Sequence, residues 1–499
     1  LDDGQPKDAT WAASICAMDE DEIRGLARHM AAGPTLISVA HGLQRAEHGE
    51  QPVWMAITLA AMLGGIGRPG AGFAYALGIF ANIGQPPLAV GIPSFPQGQN
   101  PIGTFIPVAR IADMLLQPGE AFDYDGRSLT YPDIRLVYWA GGNPFHHHQD
   151  LGRLRRAFAR PETVIVHEPY WTATARHADI VLPTTITLER DDIGSSRNDP
   201  GVIAMHRVLP PRGEARDDFA IFAALAERLG QGQAFTEGRD ADAWLRHIYA
   251  DLAERLGAVG VEVPSFEAFW EAGELRLPVR DVVGGWLRRF REDPEAHPLG
   301  TPSGRIEIHS ETIAAFGYAD CPGHPTWLSP DEWLGGQLAA TYPLQLIANQ
   351  PAGRLHSQLD FGTASLARKV DGRETARLNP ADAQARGIVT GDVVRLFNER
   401  GACFAAAARD EAVRVGCVQL PTGAWFDPLD ATDPPTCLAG NPNAVTRDRG
   451  TSSLAQACSG QLTLVEVELA TDAPSPRGHA APSGSAACTP PPTDESFGA

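Results

Sequence analysis

Short apolar runs alternate with stretches of helical periodicity through the first two thirds of the chain. Apolar runs at residues 35–40, 134–140, 163–166 and 180–182 predict buried strands. Helices are predicted where apolar residues recur at helical spacing, at 18–30, 50–63, 150–158, 217–229 and 241–256. Strands and helices in alternation are typical of an α/β fold with parallel, doubly wound sheet regions. We predict two such parts, residues 1–110 and residues 111–335, with a long glycine- and proline-rich loop at 73–105.

The pattern changes near residue 342. Short β-rich runs at 342–348, 393–397, 403–408, 417–420 and 462–469 are divided by turn residues. This pattern of short strands and turns predicts a C-terminal β-barrel domain over residues 342–470. Residues 471–499 are rich in proline, serine, glycine and alanine, so we expect a disordered tail there.

Composition narrows the possible functions. The chain has 41 Lys+Arg and 61 Asp+Glu, a net charge of −20, which argues against a nucleic-acid partner. No apolar run approaches the ~18 residues of a membrane span. The seven cysteines include no CxxC pair, so we expect reduced thiols and no disulfide framework, zinc ribbon or ordinary iron–sulfur motif. The chain begins without Met or a signal peptide, and its compartment, periplasmic or cytoplasmic, is left open.

One glycine-rich string matches a dinucleotide fingerprint only superficially. Residues 65–70 read GIGRPG, but a predicted helix precedes them and Pro69 lies inside the string. The fingerprint needs a strand before the first glycine and a helix opening at the third. We therefore interpret this segment as a plain glycine loop.

Three contiguous histidines, His146 to His148, follow a predicted strand and the sequence Gly-Gly-Asn-Pro. Ligands of open α/β sheets bind at the carboxyl ends of the strands, so a ligand loop is the favoured interpretation. A metal site and an ordinary turn remain alternatives. Adjacent side chains on a tight turn diverge, which disfavours three ligands to one ion. His167 and Glu168 also follow a strand, as a second ligand-facing pair or a surface turn.

Two further segments carry candidate chemistry. Arg190 lies in a charged run that would ordinarily be solvated. Residues 354–358, RLHSQ, follow the first barrel strand and combine a cation with several uncharged donors. Such a mixture suits an anionic, hydroxyl-rich ligand.

Five segments together resemble one family. They are GGNPFHHHQD at 141–150, ARHADIVLP at 175–183, TPSGRIEI at 301–308, RLHSQ at 354–358 and GNPN at 440–443. In this order and spacing they resemble the molybdopterin oxidoreductases of the dimethyl sulfoxide reductase family. The nearest subgroup is the S- and N-oxide reductases, and the resemblance runs from about residue 1 to residue 470.

The resemblance implies a molybdenum-dependent oxidoreductase whose cofactor is bis(molybdopterin guanine dinucleotide) with molybdenum. An S-oxide or N-oxide substrate gives its oxygen to the reduced metal, and an electron donor protein or reductant restores that state. It also implies that residues 1–110 belong to an α/β cofactor-binding domain, that 111–335 bind dinucleotide, and that the barrel is of the double-psi type.

The resemblance also implies site residues. Arg45 would meet one dinucleotide. Those that would hold a guanosine and its phosphates are Asn143, His147, His167, Glu168, Arg190 and Asp218. Those that would close over the pterins from the barrel are Gln350, Arg354, His356, Ser357, Gln358, Asn443 and Gln461. Asp218 equally suits the first turn of a helix. No catalytic residue and no metal ligand is assigned.

Departures from the family pattern leave alternatives open. His41 stands where relatives often carry a bulky aromatic, and Gln350 where some carry histidine. The family's amino-terminal part, with the molybdenum ligand, has no counterpart here, so we expect a carboxyl-terminal fragment that is inactive alone. The alternatives are a non-catalytic cofactor-binding or assembly protein and a formate- or nitrate-type relative.

Overall fold

The computed structural model describes residues 4–77, 86–103, 105–196, 199–280, 287–429 and 433–478. An α/β region precedes a closed β-barrel, as the hydrophobic pattern predicts. Among the described residues, no helix combines the length and apolar character that crossing a bilayer requires.

The first part of the chain builds a small parallel sheet against helices. Its elements are α1 (Ala9–Cys16), α2 (Glu20–Ala31), β1 (Leu36–Val39), α3 (His41–Gln44), α4 (Glu50–Met62) and β2 (Gly72–Tyr75). Asp19 caps α2 by accepting from the backbone N–H of Asp21, and acidic residues fill its first turn. The predicted loop at 73–105 is therefore wrong at its start, because β2 pairs in parallel with β1. Residues 78–85 and 104 of that loop lie outside the described residues.

The glycine string at 65–70 connects α4 to β2, a helix to a strand. Gly72 packs so closely on the backbone of Gly65 that a Cβ at Gly65 would lie 2.9 Å from the Gly72 nitrogen. This confirms the glycine-loop interpretation.

A second parallel sheet forms the centre of the α/β region. Its elements are α5 (Ile111–Leu116), β3 (Ala121–Tyr124), β4 (Arg127–Thr130), β5 (Leu136–Ala140), α6 (Pro144–His147), α7 (Leu151–Phe158), β6 (Thr163–Glu168) and β7 (Ile180–Pro183). The strands run in the order β5-β6-β7, all parallel. Leu151, Leu154 and Phe158 of α7 pack with Val164 and Val166 of β6 in the main core. The carboxyl ends of these three strands form one edge.

An antiparallel sheet with its own core follows, where mostly parallel structure was expected. Its elements are β8 (Asp192–Ser196), β9 (Asp199–Met205), α8 (Asp218–Arg228), α9 (Gly232–Thr236), α10 (Ala241–Gly257), α11 (Phe266–Ala272) and β10 (Glu274–Arg276). Tyr249 and Leu256 of α10 pack on Phe269 and Val202. The sequence did not predict β8, because Asp-Ile-Gly-Ser-Ser has low strand propensity. Two short helices, α12 (Arg288–Glu292) and α13 (Glu311–Phe316), precede the barrel.

The barrel closes through six strands. Its elements are β11 (Leu344–Ile347), α14 (Thr363–Leu366), β12 (Thr375–Leu378), α15 (Pro380–Ala385), β13 (Val393–Asn398), β14 (Gly401–Arg409), β15 (Cys417–Gln419), β16 (Thr436–Cys437) and β17 (Thr463–Leu469). The strand order is β12-β15-β11-β17-β13-β14, and β14 pairs back to β12. The predicted barrel is confirmed, while its double-psi type stays a prediction. Short 3₁₀ turns lie at Val108–Arg110, Ala175–His177, Thr187–Glu189, Gln337–Ala340 and Pro442–Ala444.

The first residues of the expected tail at 471–499 contact the barrel, and the rest of that expectation stays a prediction. Arg373 donates to the carbonyl oxygens of Ala473 and Pro474, at 3.4 and 2.6 Å. The backbone N–H of Arg477 donates to Asp427 at 2.6 Å. These contacts hold residues 473–478 against the barrel despite their composition. The buried side chains of Arg373 and Asp427 form hydrogen bonds with the backbone of this segment. Residues 479–499 lie outside the described residues.

Six cysteines are unpaired, namely Cys16, Cys321, Cys403, Cys417, Cys437 and Cys458. Cys488 lies outside the described residues.

Candidate ligand-binding site

The turn after β5 delivers the histidine run to the carboxyl edge of the central sheet. Gly141 and Gly142 have φ of 81° and 87°, a region that favours glycine, and they reverse the chain at the end of the strand. Trp139 donates its indole N–H to the Gly142 carbonyl at 2.9 Å, and Pro144 opens α6. The run therefore lies at the sheet edge, as predicted.

The three histidines have different environments. His146 is 1 % exposed and stacks on Trp425 with ring centroids 5.6 Å apart. Burial lowers the pKa of His146 to about 3. Burial, with His147 and Arg110 nearby, lowers the pKa of His148 to about 3. Both rings are thus neutral at pH 7.

Several buried polar atoms on this loop lack an intramolecular partner. The oxygen of the Asn143 amide, both ring nitrogens of His146 and Nε2 of His148 make no hydrogen bond within the described part of the chain. Buried polar groups in native proteins are nearly always hydrogen-bonded. The loop can therefore receive a polar ligand.

His147 lies near the Arg45 guanidinium and the His356 ring. Its side chain is accessible to solvent, yet partial burial and the neighbouring His356 and Arg45 lower its pKa to about 4. His147 is therefore open to solvent but surrounded by protein on its other sides. The Arg45 carbonyl accepts from the backbone N–H of Gln461 at 3.0 Å, and its guanidinium lies 3.7 Å from the Cys458 Sγ. These contacts bring together Arg45, His147, His356 and Gln461.

At the end of β6, His167 lies beneath Asp218. The His167 side chain is 1 % exposed, whereas that of Asp218 is 53 % exposed. His167 Nδ1 lies 2.7 Å from Asp218 Oδ1, and His167 Nε2 lies 2.7 Å from the Tyr138 hydroxyl. Because the imidazole is covered, Asp218 rather than His167 faces outward, while a direct contact of His167 with a nucleotide stays a prediction. Asp217 precedes α8 as its N-cap, and Asp218 is its first residue.

Glu168 continues the same edge as a buried acid. Thr172 donates its hydroxyl to the Glu168 carboxylate at 3.1 Å, and the Asn143 side chain also hydrogen-bonds it. Burial raises the pKa of Glu168 to about 7, against the lowering effect of these hydrogen bonds. Near pH 7 the Glu168 side chain can therefore accept hydrogen bonds as a carboxylate or donate one as a carboxylic acid.

Arg190 is half-buried beside this group and is not a solvated charge. It contacts the Thr185 carbonyl and the Asp192 carboxylate, each at 3.3 Å. The Thr185 hydroxyl donates to Asp217 at 2.7 Å, so Arg190 lies near the start of α8. The guanosine-side residues Asn143, Glu168, Arg190 and Asp218 are therefore brought together, with His167 behind them.

The barrel loop after β11 covers the edge from the other side. Gln350 and Gln358 are exposed. His356 has φ 51°, and its carbonyl approaches Gly423 so closely that a Cβ there would lie 2.0 Å from the carbonyl oxygen. The buried Ser357 accepts from the Trp425 indole through its carbonyl, at 2.9 Å.

Arg354 faces inward, unlike the ligand-facing cation that the sequence predicts. Its side chain is 3 % exposed and lies 2.9 Å from Glu374 and 3.4 Å from Asp360. It also donates to Ser365 at 3.0 Å and to the Thr422 carbonyl at 2.9 Å. These partners engage the guanidinium inside the barrel because the loop folds over it, so Arg354 braces the loop.

Two other barrel residues, Asn443 and Gln461, form hydrogen bonds with protein groups. Asn443 is 3 % exposed, donates to the His146 carbonyl at 3.0 Å, and accepts from Thr446 at 2.8 Å. Gln461 donates to the Ala348 carbonyl at 2.8 Å. Asn443 joins the barrel directly to the histidine loop.

Sequence reasoning missed Tyr138, Thr172 and Trp425. Tyr138 was detectable in principle, because His167 pairs with Ala140 in the β5–β6 register and Tyr138 is two residues earlier, on the same face. Thr172 and Trp425 depend on loop conformation and carry no local signal. In the described part of the chain, no group of three or more His, Cys, Asp or Glu residues is arranged to hold a metal ion.

Comparison with known proteins finds two family matches. Residues 10–228 match "Molybdopterin oxidoreductase", and residues 344–464 match "Molydopterin dinucleotide binding domain". The second match covers the barrel, and the first covers the central sheet and the histidine loop.

Curated relatives match nearly the whole chain. Biotin sulfoxide reductase of Cereibacter sphaeroides is 50 % identical over 468 residues, which cover 93 % of this chain and 62 % of the relative. Dimethyl sulfoxide/trimethylamine N-oxide reductase of the same organism is 46 % identical, covering 95 % and 59 %. Trimethylamine-N-oxide reductase of Haemophilus influenzae is 43 % identical, covering 93 % and 58 %. The chain spans about three-fifths of the length of these relatives.

Among solved structures, acetylene hydratase from Pelobacter acetylenicus matches with a TM-score of 0.54 and 20 % identity. The match covers 72 % of this chain and 46 % of that one. At this identity the likeness supports the fold alone.

Proposed function

The chain belongs to the molybdopterin oxidoreductases of the dimethyl sulfoxide reductase family, and on that premise we propose that it binds a molybdenum bis(molybdopterin guanine dinucleotide) cofactor. We propose further that it forms part of an enzyme that reduces S-oxides or N-oxides by oxygen-atom transfer. The activities for which its relatives are named support this substrate class.

One observation carries the proposal. The loop between β5 and α7 presents buried polar atoms of Asn143, His146 and His148 that have no hydrogen-bond partner in the described residues. It does so at the carboxyl edge of a parallel sheet, under a barrel loop. A dinucleotide rich in phosphate, hydroxyl and amide groups has the donors and acceptors that these atoms need.

The charges around the loop suit the two ends of a dinucleotide. Arg45 would face phosphate oxygens, and Arg190 would do the same beside α8, whereas His356 would lie with the pterin-side residues. Glu168 would accept ribose hydroxyls. The exposed Asp218 would accept the N1–H and amino group of guanine, two donors that lie side by side. Gln350, Ser357, Gln358 and Gln461 would line the pterin side, with Arg354 and Asn443 as supports.

When bound, the cofactor supplies two-electron oxygen-atom exchange at molybdenum. The residues of this chain bind and orient it. The buried His146 ring stacks on Trp425, and this contact fixes the ring's orientation in the loop. A donor protein or small reductant would supply the electrons.

Cofactor retention tests the proposal. The chain is produced in a molybdenum-replete host, and molybdenum and acid-released guanine nucleotide are measured in the purified protein. We expect both to be retained, and Asp218→Asn to lower both at least about tenfold because an amide must turn a donor toward guanine's donors. Asp251→Asn, an exposed change on α10 beside Arg255, is the matched control.

Loss of both molybdenum and nucleotide in the unmodified chain would overturn the proposal. Oxidation of reduced methyl viologen with dimethyl sulfoxide or biotin sulfoxide then tests catalysis. A chain that retains the cofactor in an intact assembly without any such turnover would instead support the non-catalytic cofactor-binding alternative.

A further inference from the structure

Tyr138, His167 and Asp218 form a continuous hydrogen-bonded row. The Tyr138 hydroxyl lies 2.7 Å from His167 Nε2, and His167 Nδ1 lies 2.7 Å from Asp218 Oδ1. The row begins on β5, crosses the end of β6 and ends at the first residue of α8. Only its last member is substantially exposed.

Donor and acceptor counting fixes the direction of the row. An ionised carboxylate only accepts hydrogen bonds, so Nδ1 of His167 carries the hydrogen that faces Asp218. When the ring carries this single hydrogen, Nε2 is an acceptor, and the Tyr138 hydroxyl donates to it. The Tyr138 hydroxyl therefore reinforces the imidazole tautomer that the Asp218 carboxylate already favours.

Packing prevents the imidazole from turning. Phe222 lies one helical turn after Asp218 on α8, and its ring stacks on His167 with centroids 4.9 Å apart and planes at 29°. Tyr138 contacts both rings, at 5.3 Å from His167 and 5.5 Å from Phe222. The same helix thus carries the carboxylate and the ring that locks its partner.

We propose that Tyr138 and His167 are positioning residues that give the site its preference for guanine over adenine, an inference that rests on the proposed cofactor function. His167 occupies one lone pair of Oδ1 and leaves Oδ2 and the outer side of Oδ1 toward solvent. Guanine matches these acceptors with N1–H and its amino group. Adenine instead places an unprotonated N1 beside its amino group, and that N1 repels a carboxylate that cannot rotate away.

A purely structural role for Asp218 makes a different prediction. As the first residue of α8, its carboxylate also lies at the positive end of a helix. That role is independent of the Tyr138 hydroxyl and of the base in a bound nucleotide. Base selectivity therefore separates the two roles.

The test compares GDP with ADP as probes, by calorimetric titration of the cofactor-free chain. The unmodified chain should bind GDP at least about tenfold more tightly than ADP, as a site built on paired hydrogen bonds does. Tyr138→Phe should reduce this ratio about fivefold, the effect of losing one buried hydrogen bond. Tyr249→Phe is the matched control, because its hydroxyl also makes a part-buried hydrogen bond, to the Pro264 carbonyl at 2.9 Å, within the separate core of α10. It should leave the ratio unchanged.

A second measurement reads the tautomer itself. In protein labelled with ¹⁵N-histidine, the His167 signals should report a protonated Nδ1, and Tyr138→Phe should shift them toward the other tautomer. If Tyr138→Phe does not fold, His167→Asn replaces it, since the asparagine amide keeps a donor toward Asp218. His167→Asn should keep the GDP preference within about twofold, and His167→Leu should lose it.

The outcomes separate this inference from the proposed function. Absence of GDP binding, or equal binding of GDP and ADP by the unmodified chain, would overturn the guanine assignment itself. A GDP preference that survives both Tyr138→Phe and His167→Leu would leave that assignment intact and overturn the positioning role.

Discussion

The side-chain amide of Asn443 donates a hydrogen bond to the backbone carbonyl of His146, with the two atoms 3.0 Å apart. A neighbouring amide repeats the arrangement, because Asn441 donates to the Phe145 carbonyl at 3.3 Å. Both asparagines are buried. The barrel thus fixes the backbone of the histidine loop through two consecutive carbonyls.

Asn443→Ala should lower the free energy of unfolding by about 1–3 kcal/mol, because the His146 carbonyl and the Thr446 hydroxyl lose a buried partner. Urea unfolding measures the change. Asn349→Ala, which removes an exposed amide that donates to the Gln350 carbonyl, is the control and should cost much less. Equal losses in the two variants would contradict a special role for the Asn443 contact.

Glu168 should make the folded state less stable as the pH rises. Burial raises the pKa of Glu168 from 4.5 to about 7, so the folded chain holds a proton that the unfolded chain releases between these values. The contribution is fully present below pH 4.5 and is lost as the pH rises through 7. Glutamine is always neutral. The free energy of unfolding of Glu168→Gln, compared with that of the unmodified chain, should therefore rise by about 2 kcal/mol from pH 5 to pH 8.

Urea unfolding at the two pH values measures this gain. Glu162→Gln removes an exposed carboxylate paired with Arg135, and it should leave the pH dependence unchanged. An identical pH dependence in Glu168→Gln and the unmodified chain would show that Glu168 is ionised in the folded state throughout.

His146 should act in the opposite direction. Burial lowers the pKa of His146 from 6.5 to about 3. Between these pH values His146 is protonated in the unfolded chain and neutral in the folded chain. Stability is complete above pH 6.5 and is lost as the pH falls toward 3. His146→Phe keeps the stacking on Trp425 but has no ring nitrogen to protonate. Between pH 7 and pH 5 its free energy of unfolding should fall by about 2 kcal/mol less than that of the unmodified chain.

Chemical denaturation at pH 7 and pH 5 checks the His146 prediction. His29→Gln, an exposed change on α2, serves as the control and should follow the unmodified chain. If His146→Phe also followed the unmodified chain, another group would be responsible for the acid sensitivity.

Arg354→Met should destabilise the barrel by about 3–5 kcal/mol, because it leaves buried Asp360 and Glu374 with fewer positive partners. Lys369, 2.7 Å from Asp360, remains but does not replace the guanidinium. Thermal unfolding followed by circular dichroism measures the loss. Arg395→Met breaks the exposed pair with Glu468 and should have a much smaller effect. A loss in Arg354→Met no larger than in Arg395→Met would contradict the bracing role.

Local chemistry made part of this structure predictable. The strand β5 is an apolar run followed by Gly141 and Gly142, which mark the turn to α6, and β6 is an apolar run that ends at His167 and Glu168. These signals lie within a few residues of one another. The sequence therefore predicted that His146 and Glu168 would share one edge of a sheet.

The inward direction of Arg354 and the covered position of His167 had no local signal. Arg354 is held by Glu374 and the Thr422 carbonyl, which lies 68 residues away along the chain. His167 is covered by Tyr138 and Phe222, from two other elements. Similarly, β9 pairs with β10 across some 70 residues. Such features follow from tertiary packing, which overrides the local polarity of a segment.

The order of strands in the barrel has a consequence for synthesis on the ribosome. Strand β11 pairs with β17, so the barrel cannot close before the last strand has emerged. His146 is made 297 residues before Asn443. At about 5–20 residues per second this separation corresponds to roughly 15–60 s of translation. For that time the nascent histidine loop lacks the amide that fixes it.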